Sequence, residues 1–223
     1  MHWPVAMNPN GSDDRFPEKD GKRDLQLDRH FTETWKDLEK EVESGRAKSI
    51  GVSNFSIENL STLLKTAKIK PVVNQVESHP YLAQKPLKEF CEKNGILLQA
   101  YSPLGSTNSP ILKDPEIVKI AERLNTGVGN VLISFQVARG VIVLPKSVTP
   151  SRISSNLQLV NLTPQDIEVL STMEEKGKQQ RFVGEYFLFK FLIINLINFT
   201  LKLSTKLGSS NFLIVKIFCL NKC

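Results

Sequence analysis

The stretch PVVNQVESHPYLAQKPLKEFCEKNGILLQAYS (71–102) holds the pattern that decides the fold. Two apolar runs, PVVNQVE (71–77) and ILLQAYS (96–102), are each too short for a helix, rich in Val, Leu or Ile, and bounded by turn residues. Such runs read as strands buried on both faces, as parallel strands are. Between them, Leu87 and Phe90 face inward on a short helix that ends at Gly95. Strand, helix and strand in that order make a βα unit of a parallel sheet.

The same alternation extends in both directions. SIGVSN (49–54) and VIVLP (141–145) read as two further strands. Thr32 to Ser44 places Trp35, Leu38 and Val42 on one helical stripe, with Gly45 as C-cap. Ser56 caps a helix carrying Leu60, Leu63, Leu64 and Ala67, and Asp114-Pro115 opens one that buries Ile117, Ile120, Ala121 and Leu124. A very apolar helix from Val131 to Ala138 ends at Gly140. Thr149-Pro150 and Thr163-Pro164 each read as a cap followed by proline in the first turn. A closed (β/α)8 barrel takes about 250 residues, roughly 30 per unit. Four complete units and part of one more before residue 49 are found, so the fold class is α/β, an incomplete (β/α)8 TIM barrel. It comprises strands five to eight, with the chain entering after the fourth. An open doubly wound sheet is the other way to use such units, but its GxGxxG fingerprint is absent.

Composition narrows the function. The 223 residues are 40% hydrophobic and 23% charged, as in a globular protein. Cys91, Cys219 and Cys223 have no CxxC or Cys/His spacing, which excludes a disulfide framework and a structural zinc site and implies a reducing, cytoplasmic setting. The opening MHWPVAMNPNGSDD has neither the basic start nor the apolar core of a signal peptide. Of the net charge of +6, residues 184–223 carry +4 and residues 1–183 only +2. No basic, aromatic-studded stripe marks the body, so nucleic acid is not an expected partner.

Residues 184–223 are different material from 1–183. Phe, Leu, Ile, Asn, Lys and Tyr make up 29 of the 40, and Pro, Ala, Asp and His are missing. YFLFKFLIINLINF (186–199) follows neither helical nor strand periodicity and reads as translated non-coding sequence. A membrane anchor is the competing reading, but a span needs about 20 predominantly apolar residues. Lys190, Asn195, Asn198 and Lys202 interrupt this one. The expected division is a 1–183 domain followed by a non-family tail.

Ligands of parallel α/β folds bind at the carboxyl ends of the strands. Read in order, those ends carry Ser53-Asn54, then Gln75, then Tyr101-Ser102 with Leu104, Gly105 and Ser106, then Lys146-Ser147. Amides beside a flat ring suit a planar heteroaromatic ligand, and the small residues of SPLGS let backbone approach a phosphate. Lys146 and Arg152, on either side of a helix start that Thr149 would cap, suit an anionic group. Each residue also has a plainer use: Ser53-Asn54 as a helix cap, Tyr101 as core, Lys146 as a loop charge. Their common place on one rim favours the ligand reading.

With these residues in place the sequence resembles the aldo-keto reductase family, particularly its small carbonyl and aldehyde reductases. The matching stretches are HWPV (2–5), GVSNF (51–55), NQVESHPYL (74–82), AYSPLGS (100–106) and LPKSVTPSRISSN (144–156), in the family's order across about residues 1–182. The resemblance implies a TIM barrel, usually monomeric, that reduces aldehydes or ketones to alcohols with NADPH and needs no metal. It implies that Ser53, Asn54 and Gln75 hold the nicotinamide carboxamide and that Tyr101 stacks on its ring. Ser102, Leu104 and Ser106 correspond to the pyrophosphate loop, Lys146, Ser147 and Arg152 to the 2′-phosphate clamp that favours NADP over NAD, and Asn156 to an adenine contact. His2 corresponds to the catalytic histidine that orients the substrate carbonyl.

The family's proton-donating tyrosine, with its lysine and aspartate, comes from earlier strands, and no position of this sequence matches them. Tyr81 and His79 are the nearest conceivable substitutes, and the resemblance gives them no such role. Ser155 stands where many members carry an acidic adenine contact, and after about Val183 the family's C-terminal loop is replaced. The expectations are therefore a poorly stable chain with exposed strand edges, weak NADPH binding and no turnover. The alternative is a non-catalytic binding or interaction module that closes its sheet against another chain.

Overall fold

A computed structural model describes residues 1–9, 17–20, 22–106 and 109–183. The expectations for 184–223 lie outside the described residues.

The chain opens with two short antiparallel ladders. β1 (Ala6–Met7) pairs with β4 (Leu25–Gln26), and β2 (Glu18–Lys19) with β3 (Lys22–Arg23). After α1 (Phe31–Glu43) come β5 (Val52–Ser53), α2 (Ile57–Leu64), β6 (Val73–Glu77), α3 (Lys85–Lys93) and β7 (Leu97–Tyr101). A single 3-10 turn leads into α4 (Pro115–Arg123) and α5 (Val128–Ala138), then β8 (Ile142–Leu144), α6 (Pro150–Ser155) and α7 (Pro164–Ser171).

The strands β5-β6-β7-β8 lie side by side in chain order and all run parallel. That is the order of consecutive barrel strands, and the sheet is an arc of a barrel, as expected. The chain's first residue enters beside it, the Met1 ammonium donating to the Gly51 carbonyl at 2.7 Å just before β5.

Helix ends follow local chemistry. Ser56 Oγ accepts the Asn59 N–H at 3.1 Å, and Asp114 accepts from Glu116 N at 2.9 Å. Thr163 and Asp166 form a reciprocal capping box. Gly95 ends α3 at φ +71 with open space where a Cβ would stand, so it is the backbone angle that calls for glycine there. Thr149 departs from expectation: its side chain makes no cap, and its N–H donates to Ser147 Oγ at 3.1 Å.

Two apolar clusters hold the arc. One joins Trp35, Phe55, Leu60, Leu63, Val76 and Leu98 beneath the sheet. The other joins Ile111, Ile117, Leu132, Phe135, Leu170 and Met173 around α4, α5 and α7. Glu39, a polar letter inside the α1 stripe, is buried because its carboxylate accepts Lys68 N and Ile69 N at 2.7 and 2.9 Å.

β5 is buried on both faces as expected, whereas β7 and β8 are not. On β7 the helix-covered positions Leu98 and Ala100 are 3% and 0% exposed, while Leu97 on the other face is 55% exposed. Ile142 and Leu144 on β8 are 40% and 42% exposed. Among the described residues the helices lie against one face of the arc, and no helix packs on the face that a closed ring would turn inward.

Candidate cofactor site

The open face carries the site. Register places Ser53, Gln75, Gln99 and Ile142 in one row across the sheet, and Glu77, Tyr101 and Leu144 in the next. Because side chains alternate along a strand, these rows share the uncovered face. Ser53 Oγ donates to the Gln75 carbonyl at 2.7 Å, and Gln75 Nε2 to Gln99 Oε1 at 2.6 Å. One step beyond the row, the Tyr101 hydroxyl donates to Asn54 Oδ1 at 3.0 Å. Asn54 Nδ2 in turn donates to Ser53 Oγ and to the His2 carbonyl, both at 3.2 Å. His2, Ser53, Asn54, Gln75 and Tyr101 are therefore brought together, with Asn54 as the hub. The cap of α2 is Ser56, which leaves Asn54 to this network. The His2 ring is exposed and stacks beside Trp3 at 5.6 Å between centroids.

Asn54 and Ser102 both take left-handed backbone, at φ +62 and +48. Non-glycine residues pay for that conformation with strain, and it turns the chain abruptly at the ends of β5 and β7. Tyr101 is half-buried, and its hydroxyl is pushed up to about 12. Burial is the largest cause and the Glu77 charge adds to it, while the Arg181 charge and hydrogen bond pull the other way.

The loop after β7 is tight. Gly105 N donates to the Ser102 carbonyl at 2.9 Å. Gly105 sits at φ +76, and a Cβ there would stand 2.1 Å from Ser109 Oγ. Glycine is thus required twice over, by angle and by space. Leu104 packs into the α4/α5/α7 cluster and Ser106 is exposed. A phosphate could meet the Leu104 backbone but not its side chain.

Lys146 and Ser147 follow β8, whose Leu144 pairs with Tyr101, so they stand on the same rim. Lys146 and Arg152 are exposed, and neither makes an ion pair among the described residues. Asn156, half-buried, ends α6, which is tied to α5 by Asn130 Nδ2 donating to the Ser155 and Gln158 carbonyls at 2.6 and 2.8 Å. Among the described residues no cluster of His, Cys, Asp and Glu could hold a metal, and no helix is long and apolar enough to cross a membrane.

Tyr81 is unsuited to proton donation. Its buried hydroxyl donates to Asp114 Oδ2 at 2.6 Å, and burial first, then that carboxylate, push it up to about 12. A donor for carbonyl reduction needs a pKa nearer neutrality and reach to substrate. Sequence reasoning missed Gln99, Glu77 and Arg181. The first two carried a signal, polar letters at alternate positions of otherwise apolar strands; Arg181 carried none.

A parallel α/β arc with hydrogen-bonding side chains collected at its carboxyl ends is the layout of a barrel enzyme. The sequence pattern of the aldo/keto reductase family matches residues 1–178, and the chain belongs to that family. It is 45% identical over 188 residues to D-galacturonate reductase of Hypocrea jecorina, covering 82% of this chain and 61% of that protein. To glycerol 2-dehydrogenase (NADP(+)) of Saccharomyces cerevisiae it is 42% identical over 191 residues, with the same coverage of 82% and 61%. The structure of aldose reductase from Giardia lamblia superposes with a TM-score of 0.79 at 35% identity, over 85% of this chain and 65% of that one. The chain thus spans about three fifths of the length of these enzyme relatives.

Proposed function

We propose that residues 1–183 are the cofactor-holding part of an NADPH-dependent reductase that converts small aldehydes or ketones to alcohols in the cytoplasm, and that 184–223 lie outside this domain. The observation that carries the reading is the Ser53–Asn54–Gln75–Tyr101 network on the open face of adjacent parallel strands. Asn54 and Gln75 offer an amide both donor and acceptor, and the Tyr101 ring offers a flat apolar surface. The left-handed turn at Ser102 and the close-packed Gly105 give backbone a near approach to a diphosphate. Lys146, Ser147 and Arg152 carry exposed positive charge and a hydroxyl to a 2′-phosphate, and Asn156 is set for adenine. The relative named for NADP(+) supports this choice of cofactor.

NADPH supplies the hydride. This chain's residues would hold and orient the nicotinamide, and the family pattern gives His2, whose carbonyl joins the Asn54 hub, the part of directing a carbonyl oxygen. No position of the sequence matches the family's proton-donating tyrosine, lysine and aspartate, and the Tyr101 hydroxyl is pushed up to about 12, so these 223 residues bind without turning over. Quenching of tryptophan fluorescence by NADPH tests the reading. Saturable binding weaker than micromolar, stronger for NADPH than for NADH, is expected. No saturation at millimolar NADPH overturns the cofactor assignment, and measurable reduction of a simple aldehyde overturns the absence of turnover.

A second reading, an interaction module that completes its sheet with another chain, is favoured by the exposure of Leu97, Ile142 and Leu144. A discrete dimer in size-exclusion chromatography supports it; a monomer without NADPH excludes it.

A further inference from the structure

Glu77 lies on the same open face as Gln75, yet it is fully buried whereas Gln75 is only half-buried. The cover comes from the end of the described chain. Phe182 N and Val183 N donate to the two Glu77 carboxylate oxygens at 2.6 and 3.0 Å. His79 Nε2 lies 3.0 Å from Oε1 and Arg181 Nη1 3.5 Å from Oε2. The Gln180 N–H donates to the Tyr81 carbonyl at 3.0 Å, and the Phe182 ring lies 4.8 Å from that of His79. Residues 180–183 therefore run across the carboxyl end of β6, fastened mainly to one carboxylate.

Tyr101 pairs in register with Glu77, so the two side chains leave neighbouring strands on the same face. We propose that Glu77 is a positioning residue: by holding the Phe182 and Val183 N–H groups and the Arg181 guanidinium in a strap beside it, it fixes the Tyr101 ring on the neighbouring strand and so sets the affinity for the nicotinamide. The effect on affinity rests on the cofactor reading above, whereas the effect on the ring does not. A carboxylate suits this place because it accepts two converging N–H groups and an opposite charge at once. A carboxamide offers one acceptor, and its NH2 group would face an N–H donor.

The test uses the full chain with 13C-labelled tyrosine rings, comparing wild type, Glu77→Gln and Leu63→Ala. Leu63→Ala weakens the other apolar cluster, which Phe182 does not join. In Glu77→Gln, exchange of the Val183 amide is expected to quicken about a hundredfold. The Tyr101 ring signal should shift or broaden, and the NADPH Kd should rise about tenfold. Leu63→Ala should leave the Tyr101 signal and the Kd where they were. An unchanged amide and ring signal in Glu77→Gln overturns the proposal; so does a quickened amide with Tyr101 and the Kd unmoved, which makes Glu77 merely structural. Wild type that binds no NADPH, with Tyr101 still released by Glu77→Gln, upholds the positioning role and refutes the cofactor reading instead. If Glu77→Gln does not fold, Val183→Pro removes one N–H donor and leaves the carboxylate intact. A smaller shift of the same Tyr101 signal supports the proposal, and no shift overturns it.

Discussion

Tyr81 and Tyr101 have hydroxyls pushed up to about the same value, about 12, but they lead to opposite kinds of surroundings. Tyr81 is sealed. Its hydroxyl meets Asp114, which Lys178 Nζ also reaches at 2.6 Å, and Lys178 extends the chain to Glu116 at 3.0 Å. Tyr101 faces a neutral amide, Asn54, with part of its ring uncovered on the open face. A cluster of opposite charges closed on itself fixes backbone segments together. A half-open cluster whose hydroxyl bonds an uncharged amide keeps hydrogen-bonding capacity and an aromatic surface for something else. The comparison assigns stability to the first and binding to the second, and variants can separate the two.

The largest expected effect is at Asp114. Burial alone would raise its carboxyl, but hydrogen bonds from Lys178, Tyr81 and Glu116 N hold it below the usual carboxylate range. Asp114→Ala strands the Tyr81 hydroxyl and removes the α4 cap. It should cost roughly 2–3 kcal/mol, less than a fully buried pair because Lys178 is partly exposed. Chemical denaturation measures this, and the NADPH Kd of the folded protein should stay unchanged. A weakened Kd would erase the distinction between the clusters.

Tyr101→Ala should do the reverse, raising the NADPH Kd about tenfold, or about 1.4 kcal/mol, while moving the denaturation midpoint little. Fluorescence titration and denaturation on the same sample check both halves. Loss of stability without loss of binding would make Tyr101 a core residue after all.

Tyr81→Phe comes next, at about 1 kcal/mol near neutral pH. Its pH signature is more specific. The folded-state value is raised from 10 to about 12, so the contribution is fully present below pH 10 and is lost as pH rises to 12. Lys178, raised from 10.5 to about 12 chiefly by its hydrogen bond to Asp114, loses its contribution over a similar window. Stability should therefore fall between pH 10 and 12, and Tyr81→Phe should make that fall shallower by about one proton. An identical slope in the variant would show that Tyr81 titrates normally.

The sequence made the sealed half of the molecule easier to read than the open half, for a physical reason. Helix stripes such as Ile117, Ile120 and Ala121 and stops such as Gly95 are set by neighbours within a turn, and they appear where expected. The rim residues Ser53, Asn54, Gln75 and Tyr101 were legible as letters at strand ends because parallel register carries those ends to one edge. Contacts made over long chain distances were not. The reach of Phe182 and Val183 back to Glu77 links positions whose separation no local period encodes. The strand runs also looked buried on both faces because their letters suit a closed ring. Apolar Leu97, Ile142 and Leu144 record the packing of the fold family, not the layers present in this arc.

The smallest expected effect sharpens the binding side of the comparison. Lys146 and Arg152 are exposed on the rim, so each meets a phosphate through water and counterions, where one charge pair is worth about 0.2–1 kcal/mol. Lys146→Ala and Arg152→Ala should each weaken NADPH binding by no more than about fivefold at low salt, and less as salt rises. Neither should change NADH binding, because NADH lacks the 2′-phosphate that these side chains would meet. Titrations of both cofactors at two salt concentrations measure the ratio. Equal loss for NADPH and NADH would move these charges to the diphosphate; no loss for either would leave Lys146 a solvated loop charge and confine the site to the Asn54–Tyr101 end.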